Sequence, residues 1–207
     1  MSQKNVKIVV FSDYICPFCY IGFYRVEQLK ENFALDVEWR PFEIHPETPK
    51  KGTDLSNLPF PKEYLEMMKA NIKKLADDVG VTFKLTDKLP NSRMALYFSE
   101  FARKKGKFDE FHKLIFDSYW KDGKNIGDQD LLLSLAELIG FKRNEIFEYI
   151  DSEEPSKKLK ESLNKLRKYG INGVPTFIIG DRIVVGAQPY EVFEKVVRKA
   201  LEEDLVL

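Results

Sequence analysis

The sequence predicts an α/β fold in which a β-α-β unit and a closing β-hairpin-α unit flank a large, all-helical insertion. Three observations carry this. The β-branched runs that read as core strands lie near the two ends of the 207-residue chain. Between them, from Lys62 to Tyr169, apolar residues recur almost entirely at helical spacing. Gly80, Gly106, Gly123 with Gly127, and Gly140 fall between those periodic stretches and divide them.

Val6–Phe11 is a short apolar run broken only by Lys7, the pattern of a strand buried on both faces. Ser12-Asp13-Tyr14 turns the chain. From Pro17 to about Phe33, Phe18, Ile21, Val26, Leu29 and Phe33 keep helical spacing, and Pro17 suits a first turn. Leu35–Phe42 alternates apolar Leu35, Val37 and Trp39 with charged neighbours, a half-buried strand. A parallel β-α-β unit with a right-handed crossover results. The Pro- and Gly-bearing stretch 46–61 is a loop. Helices are expected at about 62–79, 92–105, 107–121, 128–139, 144–151 and 156–169. Asn91, Asp128 and Ser156 are placed to cap the second, fourth and last of these. A short extended piece at 81–85 interrupts the series. Pro175–Ile179 and Arg182–Val185 then form a hairpin about Gly180-Asp181, and Gly186 ends the second strand. A final helix opens at Pro189 or Tyr190 with Val192, Phe193, Val196, Val197, Ala200 and Leu201 on one face.

Apolar residues make up 43% of the chain, enough for a substantial core, and charged residues 32%. Thirty-three basic residues balance thirty-three acidic ones. No overall field therefore recruits nucleic acid or an anionic membrane. No apolar run approaches the roughly 18 residues of a membrane span, and the opening apolar stretch is too short for a signal peptide. The expected compartment is the cytoplasm. The composition carries no reading of oligomeric state.

The sharpest local signal is Cys16-Pro17-Phe18-Cys19, which straddles a strand end and a helix start. Spacing of three puts both sulfurs on one side of a helical turn. Backbone N–H groups and the positive end of the helix dipole favour a thiolate at Cys16. Cys19, one turn inside, is expected to be more buried and suited to resolve a mixed disulfide. Zinc would need four matched ligands. The chain has no second cysteine pair and only His45 and His112, so no metal is expected. A structural disulfide closing one turn would add little and would not persist in a reducing cytoplasm. Redox chemistry is the favoured reading of this pair.

The second signal is Gly173-Val174-Pro175-Thr176 at the returning strand. Alone, Pro175 reads as a strand-start proline in the usual trans form. Its conjunction with an upstream CxxC changes that reading. Together the strand, CxxC, helix, strand, Val-Pro-Thr-Phe hairpin and last helix resemble the thioredoxin fold, and the insertion resembles the DsbA-type arrangement. Phe11-Ser12-Asp13, Cys16 to Gly22, Arg40-Pro41-Phe42-Glu43-Ile44, Asn91-Ser92-Arg93, Gly173 to Phe177 and Gly186-Ala187-Gln188-Pro189-Tyr190 extend the resemblance to the FrnE-like branch. On this likeness residues 1–45 and 171–207 form a discontinuous thioredoxin-like domain, and 46–170 the helical insertion.

The resemblance implies thiol–disulfide exchange on protein or low-molecular-weight disulfides. Cys16 would be the nucleophile and Cys19 the resolving thiol, with Pro175 a cis-proline facing them. Val174 would offer its backbone to an extended substrate, and Pro17 and Phe18 would border it. No cofactor is implied beyond the dithiol itself, with glutathione as a candidate co-substrate. DsbA has histidine where Phe18 stands. Phenylalanine offers the thiolate no charge or hydrogen bond, so an extremely oxidising poise is not expected. A CxxC of this kind can reduce, oxidise or isomerise according to its potential.

The same superfamily contains 2-hydroxychromene-2-carboxylate isomerases and kappa-class glutathione transferases. They resemble the chain around Asn91-Ser92 but usually place serine where Cys16 stands, so the cysteine pair argues against that chemistry here. A third alternative is a non-catalytic module that binds peptides on a thioredoxin-like surface.

The remaining features have plainer readings. His112 lies among Phe108, Phe111 and Phe116 and reads as a surface or packing residue, and His45 is isolated. Phe108, Phe111, Phe116, Tyr119 and Trp120 suit core packing of the insertion, and some of them could floor a groove over Cys16. The basic run from Lys157 to Lys168 is a solvated face. Arg25 and Lys30 carry no role.

Overall fold

The computed structural model describes residues 5–57 and 61–203. The first four residues of the opening segment, 58–60 of the expected loop and the last four residues lie outside that description. Four strands, β1 (Val6–Ser12), β2 (Leu35–Pro41), β5 (Thr176–Ile179) and β6 (Arg182–Val185), form one sheet in the order β2-β1-β5-β6. β1 and β2 pair in parallel, whereas β5 runs antiparallel to both β1 and β6. Helix α1 (Pro17–Lys30) makes the crossover between the two parallel strands.

Alternation along β1 shows why this strand tolerates so little polarity. Val6, Ile8 and Val10 enter the main core cluster on one face. Val9 and Phe11 join Leu166 and Ile171 in a second cluster on the other, beneath helix α7 (Glu154–Lys168). A strand covered on both faces needs apolar side chains at both parities. On the first face α8 (Tyr190–Glu202) contributes Phe193, Val197 and Ala200, while Val192 of the expected apolar stripe is exposed. The helix begins so that Val192 falls outside the arc facing the sheet.

Between the sheet segments lie α2 (Lys62–Asp78), α3 (Arg93–Lys104), α4 (Phe108–Phe116), α5 (Gln129–Leu138) and α6 (Arg143–Ile150), followed by α7. Asp128 caps α5 by accepting from the Asp130 N–H. Three expectations are corrected. Residues 81–85 form no strand. Instead β3 (Thr53–Asp54) and β4 (Lys88–Leu89) make a two-stranded antiparallel patch tying the loop after β2 to the insertion. Ser156 lies inside α7, where it bonds back to the Glu153 carbonyl, and Ser152 receives the Glu154 N–H. Pro175 precedes β5, and Thr176 is the first strand residue. The expected 107–121 helix also changes character. A π-helical turn, Asp117–Lys121, follows α4, and its wider winding turns the buried Tyr119 and Trp120 inward.

The main core cluster is continuous from Val6 and Ile8 of the sheet to Phe98, Phe111 and Leu132 of the helical block. Gly22 marks its tightest crossing. A Cβ there would lie 2.9 Å from Phe177 Cζ and 3.5 Å from Pro175 Cγ. Because the Phe177 ring is fully buried and cannot swing away, Gly22→Ala should cost about 1–3 kcal/mol by overpacking. Urea unfolding of the variant measures this; an unchanged midpoint would show that α1 can shift freely over β5.

Candidate active site

Cys16 is the N-cap of α1, with extended backbone angles (φ −88°, ψ 116°), and Pro17 occupies the first turn. The turn entering the helix is closed by the Cys16 N–H bonding to the Asp13 carbonyl at 3.2 Å. The Cys19 and Tyr20 amides both return to the Cys16 carbonyl. This brings the two cysteines to 3.6 Å without joining them. Cys16 retains 6% exposure and Cys19 none. Pro17 and Phe18 are half-buried between them in sequence.

From the far end of the chain, the Val174 carbonyl comes within 3.7 Å of Cys16 Sγ, which donates to it. The Val174–Pro175 peptide bond is cis. The Gly186 N–H holds the Pro175 carbonyl at 2.8 Å, and Thr176 Oγ1 bonds to Gly173 at the same distance. Thus Cys16, Cys19, Pro17, Phe18, Val174 and Pro175 are assembled around one point at the start of α1.

Burial pushes the Cys19 thiol well above the ordinary range, and the neighbouring Cys16 thiol and its charge push further the same way. The Asp13 N–H and the Ser12 hydroxyl oppose this by favouring a thiolate. Asp13 itself is fully buried, and burial raises its carboxyl to about 6 against the pull of its hydrogen-bond donors. Its Oδ2 accepts from the Ile44 N–H at 2.8 Å and its Oδ1 from the Ile15 N–H at 3.4 Å.

The site also rests on residues that the sequence reading placed in a cap, in the core or in the family likeness without linking them to the cysteines. Arg93 donates through Nε and Nη2 to Glu43 Oε2, at 3.1 and 3.0 Å. Asn91 accepts the Arg93 N–H and donates to the Thr48 carbonyl. Asn91 therefore lies one residue before the N-cap of α3, which is Ser92. These bonds tie the strand-end segment Arg40–Ile44 to α3 and thereby hold the Ile44 amide against Asp13. Trp120 Nε1 donates to the Tyr14 carbonyl at 2.8 Å. Its ring lies with Phe83, Tyr119 and Tyr20, the residue that follows Cys19, in one aromatic cluster. His112 is a packing residue, 3% exposed and surrounded by Tyr14, Phe23, Trp39, Phe108 and Phe116. Arg25 bonds to Gln28 and Lys30 to Glu27, both within α1. Among the described residues, no group of three or more His, Cys, Asp or Glu side chains could hold a metal, and no helix is long and apolar enough to cross a membrane.

This fold and site define a thioredoxin-like domain carrying a CxxC at the start of its first helix. Residues 7–198 match the DsbA-like thioredoxin domain, and the chain belongs to that family. The protein YwbO of Bacillus subtilis, described as uncharacterized, is 33% identical over 196 residues, spanning 93% of this chain and 96% of that protein. A 2-hydroxychromene-2-carboxylate isomerase of a Pseudomonas species is 19% identical, over 86% of this chain and 84% of its own. Among solved structures, a probable DsbA oxidoreductase from Streptomyces coelicolor superposes with a TM-score of 0.85 at 21% identity, covering 96% of this chain and 91% of its own. The cytosolic disulfide reductase DsbM of Pseudomonas aeruginosa, solved with glutathione, superposes at 0.65 and 17%, covering 93% and 99%. The family thus holds both oxidoreductases and isomerases.

Proposed function

We propose that the protein is a dithiol–disulfide oxidoreductase in which Cys16 attacks and Cys19 resolves. The observation that carries this is the arrangement of the two sulfurs. One sits at a helix N-cap and donates to the backbone carbonyl of Val174, and the other lies 3.6 Å away, fully buried. The Cys16 thiolate attacks one sulfur of a disulfide R–S–S–R′. A bond forms between Cys16 and R–S, and R′–S⁻ leaves and takes up a proton. Cys19 then attacks Cys16 Sγ, expelling R–S⁻. The Cys16–Cys19 disulfide has formed, and the substrate has gained two electrons. The reverse sequence oxidises a dithiol, and two molecules of a small thiol such as glutathione return the enzyme to its dithiol form. Val174, with Pro175, Pro17 and Phe18, borders the path by which an extended disulfide reaches Cys16.

The order of the two attacks follows from what holds Cys19 protonated. Two of the three causes, the hydrogen bond and the charge of Cys16, vanish once Cys16 is in a mixed disulfide. Burial then remains, opposed by the Asp13 N–H and the Ser12 hydroxyl. Burial, the largest cause, persists throughout, and the resolving thiol ionises more readily once the Cys16 hydrogen bond and charge are gone. No other cofactor or metal takes part in this scheme. Because the chain spends both cysteines on this motif, we place its work in the reducing cytoplasm, on protein or small-molecule disulfides.

Equilibration in mixtures of reduced and oxidised glutathione, quenched by alkylation and read by mass, tests the proposal. The expected result is one reversible two-electron step confined to Cys16 and Cys19. A pair that does not cycle would make the domain a binding module instead. An isomerase activity that survives Cys16→Ala would move it to the other branch of the family.

A further inference from the structure

The C-terminal half of α1, the end of α2 and the opening turn of α8 enclose a cleft of about 430 Å³. That lies within the range of small-molecule sites, roughly 300–1,000 Å³. Its central residue, Arg25, is roughly 12 Å along α1 from Pro17, so the exchange chemistry makes no use of it. Arg25 is 3% exposed, yet its one side-chain hydrogen bond runs from Nη1 to Gln28 Oε1 at 2.9 Å. Its Nε and Nη2 are buried, and among the described residues nothing meets them. Buried polar groups are rarely left so, and an unmet charged group is the costliest kind. Asp78 at the end of α2, Glu31 just past α1 and Glu191 in the first turn of α8 line the same cleft. None of their carboxylates reaches the two unmet donors. Burial lowers the Arg25 guanidinium from its ordinary range, and Asp78 and Glu191 act against that. The Tyr190 hydroxyl, also on the lining, accepts from Asn32 Nδ2 at 3.0 Å, which leaves its own hydrogen free to donate.

The lining selects its occupant by charge. A lone anion would satisfy Arg25 but stand among three carboxylates, where like charges repel. A lone cation would satisfy the carboxylates and leave the Arg25 donors unmet. A molecule carrying both signs answers both needs. One guanidinium against three carboxylates also leaves the cleft acidic, so a ligand with one further positive group complements it best. We propose that the cleft binds a free basic α-amino acid, its carboxylate on Arg25 and Tyr190 and its two cationic groups among Asp78, Glu191 and Glu31. The carboxylate completes the Arg25 fork through Nε and Nη2, the paired geometry a guanidinium offers a carboxylate. The Tyr190 hydroxyl donates to the same group, and the positive end of the α8 dipole lies at that wall. A ligand held in this way joins α1, α2 and α8 through one molecule.

Isothermal titration of the native protein with L-lysine and L-arginine tests this. Both should bind at millimolar concentration or below, and each should raise the thermal unfolding midpoint as its concentration rises. Three analogues of lysine divide the recognition into its parts. Nα-acetyl-lysine lacks the α-ammonium, lysinamide the carboxylate and norleucine the side-chain ammonium, and each should bind about tenfold more weakly or worse. Arg25→Met keeps much of the buried stem. It should cut lysine affinity by about tenfold or more and make the ligand-free protein more stable, because an unmet buried charge is gone. Tyr190→Phe and Asp78→Asn lie at less buried positions and keep the test decisive should Arg25→Met fail to fold. Each should weaken lysine binding by about fivefold to tenfold. None of these measurements depends on the cysteines, so they are decided apart from exchange activity. No binding of either amino acid, analogues that bind as tightly as lysine, or affinity unchanged in both Tyr190→Phe and Asp78→Asn would overturn the proposal.

Discussion

Cys19→Ser should turn the protein into a covalent trap, whereas Cys16→Ser should remove exchange by a factor on the order of a thousand or more. In the first variant the N-cap thiol still attacks a disulfide, and nothing behind it can expel the bound half. The hydroxyl introduced at the resolving position lacks a sulfur's nucleophilicity, so the mixed disulfide persists until an external thiol arrives. In the second variant Cys19 is the only thiol left. It is fully buried and sits behind residue 16, where an incoming disulfide does not reach it. Its thiol is also held well above the ordinary range by burial, so little thiolate is present at neutral pH. Non-reducing electrophoresis of extracts, followed by mass mapping, should show adducts on Cys16 for Cys19→Ser and none for Cys16→Ser. Equal adducts from both would mean that the two cysteines are not assigned to different steps.

The parts of this structure written in the sequence are those decided locally. The helices of the insertion were legible because each has its own apolar stripe and all but α6 have a glycine close behind their last turn. β1 was legible because a strand covered on both faces admits almost no polar residue. The CxxC announces itself by spacing alone, and Val174–Pro175 became interpretable only in conjunction with it. What escaped depends on distant residues. β3 and β4 are two residues each, too short for any periodicity, and exist because residues 53–54 and 88–89 are brought side by side. Winding into a π turn at Asp117 leaves no mark in a pattern that reads as one continuous helix. Asp13 gave a weak signal, an acid ending an apolar strand three residues before a CxxC. Its partner, the Ile44 amide, is 31 positions away and is held there by Glu43 and Arg93. His112 was legible as a packing residue among Phe108, Phe111 and Phe116, but nothing local indicates that Tyr14, 98 positions earlier, would meet its ring.

Asp13→Asn should stabilise the protein at neutral pH while removing a fall in stability that the native chain shows between about pH 4 and 6. The carboxyl titrates near 6 in the fold and near 4 in an unfolded chain. The folded state therefore holds this proton more tightly. Below about pH 4 both states are protonated and the group is at its most favourable. As pH rises toward 6 the unfolded chain ionises first, and stability falls. Above 6 both states are ionised and the loss levels off at about 3 kcal/mol, the energy of roughly two pH units. Asparagine is neutral throughout and avoids that loss. Its carbonyl can keep the 2.8 Å bond from the Ile44 amide. Its NH₂ then faces the Ile15 N–H, whose bond to Oδ1 is already long at 3.4 Å, and giving that up costs about 1 kcal/mol. The net gain at pH 7 should be about 1–2 kcal/mol, vanishing or reversing near pH 4. The Asp13 N–H that faces Cys19 belongs to the backbone and survives the substitution, so the Cys19 environment is largely retained. Urea unfolding of both proteins from pH 4 to 8 gives the comparison directly, because other titrating groups such as Glu100 contribute equally to each and cancel in the difference. Parallel stability curves would show that Asp13 is already ionised well below pH 6 in the native protein, with its hydrogen bonds outweighing its burial.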